Sequence, residues 1–70
     1  MITLPKLIHQ YCRVEIQSWK AGNFERAKNC REINEYLSHA YLEHIHGNHG
    51  GALLCLDFAR AAKIAGGSDA

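Results

Sequence analysis

The first thing this chain lacks is charge of one sign. Eight lysines and arginines stand against seven acids, for a formal net charge of +1. A nucleic-acid module usually gathers a clear basic excess on one face, so nucleic acid is not an expected partner. Paired cysteines are missing as well. Cys12, Cys30 and Cys55 are odd in number and form no Cys-x-x-Cys. That argues against both a disulfide framework and a zinc ribbon. The pattern fits three reduced, mostly buried thiols in a cytosolic protein.

Long hydrophobic runs are absent too. The most apolar stretch, "ALLCLDFARAAKIA" (52–65), is too short to span a bilayer and is interrupted by Asp57, Arg60 and Lys63. The first ten residues contain no apolar core of the kind a signal peptide needs. A cytoplasmic protein with no membrane association is therefore expected. No phosphate loop is present either, because "HGNHGGA" (46–52) has neither the lysine nor the preceding strand. Cys55 with a nearby histidine is the only pairing that could suggest nucleophilic catalysis, and Cys55 falls on an apolar face. No catalytic residue, metal or cofactor is expected.

What is present is helical punctuation. Seventy residues with a single proline, Pro5, and 47% hydrophobic composition predict one small all-α domain over 1–70. Thr3 caps a first helix over 4–21, with Pro5 in its first turn, where a missing N–H does no harm. Leu4, Leu7, Ile8, Tyr11 and Trp19 share one side of it. Gly22 ends that helix and Asn23 opens the next, over 24–46. Gly47 and Asn48 repeat the device before a third helix over 50–65, and 66–70 is expected to be a flexible tail. The segments "GNFERAKNC" and "GNHGGALLC" match at four of nine positions, which is recurrent capping and not a duplication. The turn "AGNFERA" resembles the tetratricopeptide turn through Gly22, Phe24 and Ala27. The resemblance covers seven residues, without the 34-residue period, and implies a tight helical hairpin only.

The second helix carries Ala27, Cys30, Ile33, Tyr36, Leu37, Ala40, Tyr41 and Ile45 over almost half its circumference, so it is expected to be central. The third has Leu54, Cys55, Phe58, Ala59, Ala61, Ala62 and Ala65 as its main apolar face. Leu53, Leu56 and Ile64 lie on the other side. A helix apolar nearly all round is buried nearly all round, more than two partner helices in so short a chain can provide. A chain of this size buries only about 60% of its unfolded surface. The remedy expected here is a homodimer, with Leu53, Leu54, Leu56, Phe58 and Ile64 at the interface.

Three further features stand out. Glu15 projects into the apolar stripe of the first helix as a buried charge and needs a partner such as Arg26, Arg31 or Arg60. The stretch "EHIHGNHGG" (43–51) clusters His44, His46 and His49, read as the polar end of a helix, whose dipole favours a cationic imidazole. A metal site built on those three histidines is the alternative. Trp19, Tyr36 and Tyr41 combine large area with a polar tip and are candidate contacts for another protein. Together these features suggest a non-enzymatic protein–protein interaction module. A small homodimeric regulator or inhibitor fits, of the kind that phages and mobile elements encode. A helical transcriptional regulator is a further alternative. Against it, the second helix is long and acidic, and the third lacks Arg, Asn or Gln in its first turn.

Overall fold

The computed structural model describes residues 3–66. They form three helices, α1 (Leu4–Lys20), α2 (Phe24–Ile45) and α3 (His49–Ala65), with no strand among the described residues. The three-helix, all-α fold read from the sequence is the one observed. The turns are short, so consecutive helices run antiparallel. α2 is the central element: α1 and α3 both pack against it, while their own Cα traces nowhere come within 8 Å of each other.

The two turns are built alike. Gly22 and Gly47 take the left-handed conformation at φ 79° and 81°. Asn23 N–H then donates to Ser18 O at 2.8 Å, and Asn48 N–H to Glu43 O at 2.8 Å, the six-to-one bond of a Schellman motif. Each asparagine turns at once to the next helix. Asn23 Oδ1 accepts from Arg26 N and Asn48 Oδ1 from Gly51 N, while Thr3 Oγ1 does the same for Lys6 N in α1. Helix ends differ from the sequence reading by one residue. Ala21 and His46 serve as C-caps, and His49 already belongs to α3. Of the expected tail, Gly66 is the C-cap of α3, and 67–70 lie outside the described residues.

The core is made of small side chains. Ile33, Leu37, Ala59 and Ala62 form its centre, with Leu4, Leu7, Ile8, Tyr11, Tyr36 and Leu56 half-buried around them. Ala27, Cys30, Ala40 and Ala52 are also buried, and among the described residues no large side chain is completely enclosed. Alanine lets two helix backbones approach closely but removes little area from water. Two asparagines of α2 tie the layers: Asn29 Nδ2 donates to Ala62 O on α3 at 2.9 Å, and Asn34 Nδ2 to Ile8 O on α1 at 3.1 Å. Gly66 leaves room for the first, since a Cβ there would sit 2.3 Å from the Asn29 amide.

The third helix is rotated from its expected setting. Ala52, Ala59 and Ala62 face inward, while Leu54, Phe58, Ala61 and Ala65, assigned from the sequence to the main buried face, are exposed. In this setting Ala59 and Ala62 pack with Ile33 and Leu37 of α2, and Ala62 O accepts the Asn29 amide. Trp19 is displaced in the same sense: it leaves the stripe of Leu4, Leu7, Ile8 and Tyr11 and stays 41% exposed. Ser18 is buried in its place.

Candidate functional site

The outward side of α3 is the most unusual surface on the molecule. Leu53, Leu54, Phe58 and Ile64 are between 48% and 70% exposed. Leu56, grouped with them from the sequence, packs half-buried against the core cluster instead. Among the described residues six more large apolar side chains are exposed elsewhere.

The three aromatic candidates do not converge. Trp19 packs on Phe24 with ring centroids 5.1 Å apart, and with Ile16 one turn earlier they form an exposed apolar cluster around the first turn. Tyr36 stacks at a tilt on Phe58, with centroids 5.6 Å apart, and so supports the flank of α3. Tyr41 lies nearer the opposite end of α2, about 25 Å from Phe24 along a helix rising 1.5 Å per residue. There it lines a groove of about 410 Å³ together with Leu4, Pro5, Ala52, Leu53 and Leu56. That groove lies between the start of α1 and the start of α3, whose Cα traces stay more than 8 Å apart.

The charged candidates are structural in their geometry. Glu15 is paired: Arg31 on α2 directs both Nε and Nη2 at its Oε2, each at 3.1 Å. Glu15 is largely enclosed and Arg31 open to solvent, so the pair pins α1 to α2 at the edge of the core. Cys30 lies close by, and burial pushes its thiol above the ordinary range, with Arg26 pulling it down and Glu15 adding to the rise. Asn34 Oδ1 is buried without a partner among the described residues.

The histidines divide. His44 and His49 stack across the second turn with ring centroids 5.3 Å apart, and both line the apolar groove. His46 is the exposed C-cap of α2 and takes no part. No three His, Cys, Asp or Glu side chains converge among the described residues, so this arrangement offers two imidazoles where tetrahedral zinc sites use three or four protein ligands. Beside them the Asn48 amide donates to Glu43 Oε2. Gly51 gives this pair room, since a Cβ there would lie 2.6 Å from both groups and would make them shift.

Comparison with protein-family models, curated proteins and solved structures found no match. No described helix is long and apolar enough to cross a membrane. Sequence reading passed over Ile16, Asn29, Asn34 and Ser18. Only the asparagines carried a signal, since two such side chains on the inner half of a central helix must each find a partner.

Proposed function

We propose that the protein is a non-enzymatic protein–protein interaction module that acts as a homodimer, with the outward side of α3 as the dimer interface. One observation carries this reading: Leu53, Leu54, Phe58 and Ile64 project from a single helix and stay largely exposed. Four large apolar side chains on one helix are more than a monomer usually leaves uncovered. A second copy would cover it without any further component. The cluster of Trp19, Phe24 and Ile16 lies at the first turn, away from the middle of α3, and remains available for another protein. A regulatory or inhibitory role, exerted by occupying a partner's surface, is the function that such a two-surface module supports.

Sedimentation equilibrium tests this directly. The wild-type chain is expected to run at twice its 7.9 kDa monomer mass at micromolar concentration, and Leu53→Glu to run as a folded monomer. A well-folded wild-type monomer would remove the dimer from the account. An unchanged mass for Leu53→Glu would move the interface off α3.

A further inference from the structure

Resting on that reading, we infer that the dimer forms by antiparallel pairing of α3 with α3 of a second copy, in a register fixed by Asp57 and Arg60. Leu53, Asp57, Arg60 and Ile64 follow one another at spacings of four, three and four, which places them in one stripe along a helix. The stripe is turned roughly 140° around the helix from the inward alanines Ala52, Ala59 and Ala62. All four residues are exposed, and Leu53 and Ile64 are the two most exposed large apolar side chains of α3.

The order of the stripe is apolar, acid, base, apolar. A twofold axis passing between Phe58 and Ala59 sets Leu53 of one copy against Ile64 of the other, and Asp57 against Arg60. Every contact then occurs twice. A parallel pairing would instead oppose Asp57 to Asp57 and Arg60 to Arg60, like charges face to face. The sequence is therefore self-complementary in one orientation only.

The structure leaves both charges available for this. Asp57 and Arg60 stand one turn apart, at a spacing that allows a bridge within the helix, yet neither has an ion pair or hydrogen bond among the described residues. The twofold also brings the Leu54–Phe58 flanks of both copies to the same side of the helix pair. There they continue each other's apolar surface over the Tyr36–Phe58 stack. The ends of the seam supply apolar burial, and its centre supplies orientation.

Charge reversal tests the register separately from the dimer itself. Self-association of wild type, Asp57→Arg, Arg60→Asp and the double variant would be measured by sedimentation equilibrium, with circular dichroism to establish that each is helical. Each single reversal places two like-charge pairs in the seam and is expected to weaken association roughly tenfold or more. The double reversal restores both pairs and is expected to return to near the wild-type constant. An equimolar mixture of the two single variants is expected to form heterodimers, because one chain then presents two bases to the two acids of the other. If wild type dimerises and the single reversals leave its constant unchanged, or the double variant is as weak as the singles, the register is wrong while the dimer stands. A folded wild-type monomer overturns both.

Discussion

α1 and α3 are each seventeen residues long, enter through a capping side chain and lean on the same central helix, yet they are finished differently. The side of α1 turned from α2 carries His9, Gln10, Arg13 and Gln17, all exposed and polar. The corresponding side of α3 carries Leu53, Leu54, Phe58 and Ile64. On that side solvent meets polar groups along the first helix and large apolar side chains along the second. The inner faces differ in turn: α1 packs Leu4, Leu7, Ile8 and Tyr11 against the core, while α3 packs three alanines and Leu56 and keeps Leu53 and Leu54 out. The bulkier side chains of α3 thus lie mostly outside the core that its alanines help to form.

The comparison breaks first at the support the two helices share. Leu37 of α2 is buried at the centre of the core, so Leu37→Ala is expected to cost about 2–5 kcal/mol in chemical denaturation. It is expected to loosen α1 and α3 together. Loss of only one helix by hydrogen exchange would mean that two separate half-cores exist.

A smaller effect distinguishes turns from faces. Gly22 and Gly47 have the same left-handed geometry, and neither has a neighbour that an added Cβ would strike. Gly22→Ala and Gly47→Ala are each expected to lower stability by about 1–2 kcal/mol. Markedly unequal costs would locate part of the difference between α1 and α3 in their turns.

The smallest effect concerns the thiols. Cys12 is exposed on α1 and Cys30 buried on α2, so alkylation is expected to modify Cys12 promptly and Cys30 only on unfolding. Burial raises the Cys30 thiol above its ordinary value of 9.0, so the folded state holds this proton to higher pH than the unfolded chain does. Its stabilising contribution is complete below that ordinary value and is lost as pH climbs through the raised one. Cys30→Ala is expected to flatten that alkaline decline in a series of melts.

How much of this was legible beforehand follows from which physics was local. The turns could be read because Gly-Asn performs two tasks within two residues, ending one helix and capping the next. The central place of α2 was legible in the width of its apolar arc. The setting of α3 was not: a helix apolar nearly all round gives the wheel no preferred face. The choice fell to the packing of Ala59 and Ala62 on Ile33 and Leu37 and to the Asn29–Ala62 bond. Glu15 announced its need for a cation, but three arginines could have served, and only the α1–α2 packing selects Arg31. Trp19 followed the period of α1 and missed the core because that end of the stripe meets the turn and Phe24. The histidine cluster could be read as the polar end of a helix, and His46 is indeed the cap; the pairing of His44 with His49 across the turn comes only from the fold.

The central claim is that the outward face of α3 is an interface and that of α1 is not. Carbene footprinting of the full chain across a dilution series, read residue by residue, tests it most directly. Leu53, Leu54, Phe58 and Ile64 are expected to become protected as concentration rises through the micromolar range, while Gln10, Arg13 and Gln17 label equally throughout. Labelling of α3 that does not change with concentration would contradict the account.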